Sequence, residues 1–147
     1  MNYQPRGRLC LAPLFPSILL SGILLSGLLS AGCTTVQKEQ RDLSLQAATS
    51  SYQSALRWGY FDTAFGYLDP PQRRGKSLPA QFKNLRITDY DIVQPPVITS
   101  PGEATQIVNI EYLYEDRQVV KRLTDHQTWH YDPKINNWWL VSGLPKF

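Results

Sequence analysis

Two histidines, His126 and His130, stand four residues apart. On a helix that spacing would present both imidazoles to one zinc ion. The residues around them alternate as a strand does, and four strand residues span about 13 Å. The pair therefore reads as surface or packed side chains, and no metal site is expected. Asp89 and Asp91 lie two apart, so on a strand both carboxyls face the same way. Such pairs divide acid and base roles only when their pKa values are pushed apart. Nothing in the pattern encloses these two, and they read as solvent-facing. The chain has neither a Gly-x-Ser-x-Gly elbow nor a Gly-rich phosphate loop, and its two cysteines are Cys10 and Cys33. No enzyme activity and no cofactor are expected.

Cys33 is the cysteine with a chemical context. Arg6 and Arg8 give the first residues a positive charge, and no charged residue occurs from Leu9 to Gln37. Ile18 to Leu29 is nearly all Ile, Leu, Ser and Gly, and Leu29-Ser30-Ala31-Gly32-Cys33 follows as small residues leading into the cysteine. The dense apolar part is about a dozen residues, against about 20 for a spanning helix, and extending it takes in Pro13 and Pro16. This reads as an export signal with a small-residue cleavage site. The segment resembles the lipobox of bacterial lipoproteins, with Ser30 in the place usually held by Leu. That resemblance implies a signal peptide over 1–32, acyl chains on Cys33 and a tether over 33–42. Two or more chains hold a protein stably at a membrane. Thr34 is not the Asp linked to inner-membrane retention, so the resemblance implies the periplasmic face of the outer membrane.

Removal of residues 1–32 takes away two arginines, leaving 13 basic against 12 acidic residues, a net charge of +1. The apparent basicity belongs in part to the export signal, and nucleic-acid binding is not expected. The mature domain has no cysteine pair and must be held by packing. All four tryptophans fall in it.

The elements that must position these residues follow from periodicity. Thr34 to Arg41 is polar and unpatterned, as a tether would be. Leu45, Ala48, Tyr52, Ala55 and Leu56 recur at helical spacing and Gly59 breaks the run. Phe61, Ala64, Phe65 and Leu68 give a second short helix, stopped by Asp69-Pro70-Pro71. Arg73, Arg74, Lys76 and Lys83 form a basic loop. From Asn84 the period becomes two: a strand from Leu85 to Val93 ended by Pro95-Pro96, a strand Thr105 to Tyr114, a strand Gln118 to Tyr131, and a last strand Asn137 to Ser142. The expected fold class is α+β, with an N-terminal helical hairpin packed on a curved antiparallel sheet of about four strands, over residues 43–147.

Ala55 to Ala64, running on to Leu68-Asp69-Pro70, and the closing Trp138-Trp139-Leu140-Val141-Ser142-Gly143-Leu144-Pro145 resemble the opening helices and final strand of the nuclear transport factor 2-like superfamily. The resemblance implies a cone-shaped α+β fold; a cystatin-like arrangement is the alternative. Enzymes of that superfamily place Asp, His or Tyr in the mouth of the cone, but no motif of theirs is matched and none is carried over. Adjacent strand residues point to opposite faces, so one of Trp138 and Trp139 belongs under the helices and the other outside. The exposed member, with Trp129 nearby, would form a contact patch. The expected function is a non-enzymatic protein–protein interaction module, for a protein partner or a homodimer, with Trp129, Trp138 and Trp139 as its interface. The alternative is a small-molecule or lipid binder whose pocket is lined by Tyr52, Phe65 and Tyr112.

Overall fold

The computed structural model describes residues 31–147. Residues 1–30, nearly all of the expected export signal, lie outside the described residues, as does the side chain of Cys33. Helix α1 spans Ala31–Arg57, 27 residues. It takes in Thr34 to Arg41, the segment expected to be an unpatterned tether. The reason is local: from Thr34 to Trp58 there is neither glycine nor proline, and Gln, Lys, Glu, Arg, Leu and Ala are good helix formers. Among the described residues no helix is long and apolar enough to cross a membrane.

Leu45, Thr49, Tyr52, Ala55 and Leu56 form the buried stripe of α1. Thr49 tolerates burial because its hydroxyl donates to the Leu45 carbonyl at 3.0 Å. Gly59 ends the helix at φ +74°, a conformation that costs a side-chain-bearing residue about 1–2 kcal/mol. The Gly59 N–H then reaches the Leu56 carbonyl and the Tyr60 N–H the Ala55 carbonyl, at 3.2 and 2.8 Å. These two bonds satisfy carbonyls the helix end would otherwise leave bare.

Helix α2 spans Phe61–Gly66 and α3 spans Pro70–Arg73. The prolines expected to stop a helix instead open one. Pro at the first helical positions loses no bond, because those N–H groups have no intrahelical partner anyway. A single 3₁₀ turn, Ala80–Phe82, leads into the sheet.

The sheet has four antiparallel strands in the order β1-β2-β3-β4: Leu85–Ser100, Glu103–Tyr114, Lys121–Asp132 and Asn137–Leu140. Two strand boundaries differ from the sequence reading by three residues or more. Strand β1 continues through Pro95-Pro96 because it is an edge strand, where a missing N–H breaks no ladder, and its register shifts between Gln94 and Val97. Strand β3 begins at Lys121, so Val119 and Val120 fall in the preceding loop and are exposed. Backbone bonds between Tyr67, Asp69 and Leu140 cover the outer edge of β4.

Helix α1 lies across one face of this sheet. Trp138 on β4 donates its indole N–H to Ser44 at 3.1 Å, and Arg57 donates to the Ile87 carbonyl on β1 at 3.4 Å. The crossing runs from one edge strand to the other and covers Val108, Ile110, Trp129, Trp138 and Leu140, all buried.

Candidate functional site

Of the three tryptophans expected to offer an interface, two do not reach the surface. Trp129 and Trp138 are buried in the core. Trp138 is the member of its pair that faces α1, and the same parity on β3 carries Trp129 inward. Trp139 points to the outer face, where it is half-buried with the Arg73 guanidinium 5.3 Å from its ring centre. The rest of that face is mostly polar, with Ile107 and Leu113 among its β2 residues. Arg122 donates to Glu111 at 3.1 Å and Thr124 to Asn109 at 2.8 Å. Asp89 and Asp91 are exposed there and act on Arg122, whose guanidinium is held above its usual value by hydrogen bonding to Glu111 and by the neighbouring carboxylates. His126 and His130 are exposed on the same strand face, and among the described residues no three His, Cys, Asp or Glu side chains gather as metal ligands.

Tyr52, Phe65 and Tyr112 do not line one cavity. The Tyr52 ring packs edge-on against Trp129 and Tyr67, with centres 5.5 and 5.9 Å apart. Tyr112 belongs to a second cluster, edge-on to Phe147 at 5.0 Å, and Phe65 is half-buried against the core. Both clusters are filled by their own rings.

The exposed aromatic surface lies elsewhere, at the end of α1. Trp58 is 76% exposed and Tyr60 65% exposed, either side of the glycine that ends the helix. Leu43, Ala47, Ser50, Ser54 and Trp58 follow at spacings of four, three, four and four, so they form one row down the outer face of α1. All five are exposed. Between Asp42 and Arg57 the helix carries no charge at all. Trp58 divides two surface clefts. One, of about 310 Å³, is lined by Ser50, Ser51, Ser54, Ala55, Tyr60 and Thr63. The other, of about 570 Å³, is bounded by Arg57, Leu85, Arg86, Ile87, Thr88 and Glu115. A solvated helix face is ordinarily rich in charge, and an uncharged row ending in an exposed Trp departs from that pattern. The sequence held this signal: Trp58 falls off the apolar stripe of α1, next to a helix-ending glycine.

Beneath α1 is a second unusual group. Asp125, Gln127 and Trp129 share the inward parity of β3, and Gln127 pairs across the ladder with Gln106 on β2. The Gln127 amide donates to Tyr90 Oη at 3.0 Å and to Asp125 Oδ2 at 2.9 Å. Burial raises the Asp125 carboxyl above the ordinary range, against the Gln127 hydrogen bond and the charge of His126. Burial also raises the phenols of Tyr52 and Tyr90, and the nearby Asp125 charge adds to both shifts. Tyr52 Oη, Gln106 Oε1, Gln127 Oε1 and Trp129 Nε1 are buried without a hydrogen-bond partner.

No protein-family model, no curated protein and no solved structure matches this chain.

Proposed function

We propose that the protein is an envelope lipoprotein whose domain works by holding another protein against the outer face of α1. The observation that carries this reading is the uncharged row from Leu43 to Trp58, with Trp58 and Tyr60 the exposed aromatics at its end. Tryptophan and tyrosine supply most of the energy at protein contacts when they enter a partner's pocket. The small residues between Leu43 and Trp58 let a partner element approach the helix axis closely. The interface expected of the tryptophan-rich C-terminal end is thereby relocated to α1.

The anchoring half of the proposal rests on the Leu29-to-Cys33 segment: lipid on Cys33, export, and attachment to the periplasmic face of the outer membrane, without catalysis. A helical hairpin on a cone-shaped sheet, as in the nuclear transport factor 2-like superfamily, is the fold reading that goes with it. A photo-cross-linking residue at Ser54 tests the contact surface in cells, with Thr124 on the outer sheet face as control. A discrete adduct from position 54 that is lost in Trp58→Ala supports the reading, and identical patterns from both positions defeat it. Cys33→Ala releasing the protein from the membrane fraction would support the anchor; unchanged fractionation would remove it.

A further inference from the structure

Toward the start of α1 lies a cleft of another character, of about 500 Å³. Gln37, Gln40, Arg41 and Ser44 of α1 form one wall. Tyr131, Pro133 and Asn136 of the β3–β4 hairpin form the other. Arg41 is half-buried, and no carboxylate lines the cleft. The salt bridges among the described residues are Arg117–Asp116 and Arg122–Glu111, so the Arg41 guanidinium has no counter-ion there. The hydroxyls of the cleft are already engaged. Ser44 accepts from the Trp138 indole at 3.1 Å and donates to the Arg41 carbonyl at 2.9 Å. Tyr131 Oη donates to Asn136 Oδ1 at 2.9 Å, which leaves the Asn136 N–H groups as donors. Asn136 stands at φ +52°, a backbone conformation that asparagine tolerates.

A guanidinium without a counter-ion, set among amide groups in a concave site, suits an anion. Its N–H fork matches the oxygens of a carboxylate or a phosphate in pairs. Phosphate oxygens each accept more than one bond, so the Asn136 amide can share them with Arg41. Gln37 and Gln40 stand on the same wall as Arg41, and each side-chain amide both donates and accepts. Hydroxyl groups next to the phosphate need that same combination. The Tyr131 ring and Pro133 give the carbon skeleton of such a group an apolar rest. The volume falls within the range of small-ligand sites. Position narrows the source. Gln37 follows Cys33 by four residues, a chain reach of at most about 14 Å. With lipid on Cys33, as proposed above, that reach keeps the α1 wall of the cleft near the head-group layer, where lipids present phosphates that carry hydroxyls.

We infer that this cleft receives a phosphate carrying a hydroxylated alkyl group, with Arg41 as counter-ion, Asn136 as a second donor to the phosphate, and Gln37 and Gln40 on the hydroxyls. The head group of phosphatidylglycerol and free glycerol 1-phosphate share this chemistry, and the lipid is the expected source. That choice of source rests on the anchoring reading; the cleft itself does not. The full-length chain in polyoxyethylene detergent micelles is titrated calorimetrically at constant ionic strength. The probes are dihexanoyl phosphatidylglycerol, dihexanoyl phosphatidylcholine and glycerol 1-phosphate. The expected result is saturable binding of the phosphatidylglycerol, at least about tenfold tighter than either of the others. The phosphatidylcholine has the same phosphodiester but no hydroxyl on its head group. Arg41→Gln should weaken binding at least about tenfold. Asn136→Gly, which keeps the positive φ and removes the amide, should weaken it about threefold. The near-ultraviolet circular dichroism of the buried Trp129 and Trp138 reports that each variant is folded. Glycerol 1-phosphate binding as tightly as the lipid would support the cleft and make a soluble polyol phosphate its ligand. The anchor is tested separately, by fractionation of Cys33→Ala, so either reading can fail alone. The inference is overturned if neither glycerol compound saturates, if the phosphatidylcholine binds as well as the phosphatidylglycerol, or if folded Arg41→Gln binds as tightly as the parent.

Discussion

Two halves of the sheet face under α1 are packed in different ways. Near Leu85, the rings of Phe61, Phe82, Phe147 and Tyr112 meet edge to face with centres 5.0–5.3 Å apart. None of the unpaired buried polar atoms among the described residues belongs to these four side chains. Toward Trp129, Tyr52, Gln106, Gln127 and Trp129 are at least as well buried, yet each keeps a polar atom without a partner. The first half gains stability from every contact it makes. The second surrenders some of it, because each buried polar atom left unpaired costs about 1–3 kcal/mol.

Truncation in the aromatic half should therefore have the largest effect. Phe82 is 3% exposed and touches both Phe61 and Phe147. Phe82→Ala should cost about 3–5 kcal/mol through lost burial and the cavity left behind, read as a fall in the urea midpoint. A loss under about 1 kcal/mol would mean the rings are not a consolidated core.

The polar half should declare itself at high pH. Tyr52 and Tyr90 hold their protons above the ordinary phenol value of about 10 because burial disfavours the charged form. Below that pH their contribution is present in full. Above it the unfolded chain releases protons that the folded chain keeps, so stability falls as pH rises. The loss should approach about 1.4 kcal/mol per pH unit for each such tyrosine. Urea unfolding between pH 9 and 11 checks this, and Tyr90→Phe should reduce the slope. A stability that is flat across that range would remove the idea of sealed phenols.

Asp125→Asn should have a smaller effect of opposite sign. The carboxyl is raised in the folded state, so its contribution is present at acid pH and is lost as pH rises through the folded value. The amide keeps an acceptor for Gln127 without the charge. The variant should match the parent near pH 3 and be more stable at pH 7, by up to about 1 kcal/mol. A variant weaker at pH 7 would make Asp125 a structural residue and erase the contrast between the halves.

The apolar inward positions of the strands were legible in the sequence; the polar ones were not, and neither were Phe82 and Phe147, which pack as core rings from outside any periodic run. Period-two alternation identifies Val108, Ile110, Tyr112, Leu123 and Trp129 as inward-facing, and all five are buried or packed against the core. Asp125 and Gln127 share that parity, but alternation is read by looking for apolar residues, so polar ones at inward positions are passed over. Pro95-Pro96 reads as the end of a strand because sequence cannot say which strand lies at an edge. Thr34 to Arg41 has no apolar period to reveal a helix, and propensity alone, unbroken by Gly or Pro, sustains one. Trp58 needed the opposite inference, that a large ring off the stripe of its helix must face water.

The smallest expected effect on stability falls at that ring. Trp58 makes its exposure at the end of α1, after the last buried residue, Leu56, and away from both halves of the inner face. Trp58→Ala should change the urea midpoint by no more than about 0.5 kcal/mol, the scale of substitutions on open surface. It should nonetheless abolish the adduct from position 54, because an aromatic anchor removed from a contact commonly costs about 2 kcal/mol or more of binding. The two readouts must separate. If Trp58→Ala lost stability as Phe82→Ala does, the ring would be part of the packing and the outer row would have no claim to a partner. If stability and adduct were both unchanged, the row would be ordinary solvated helix.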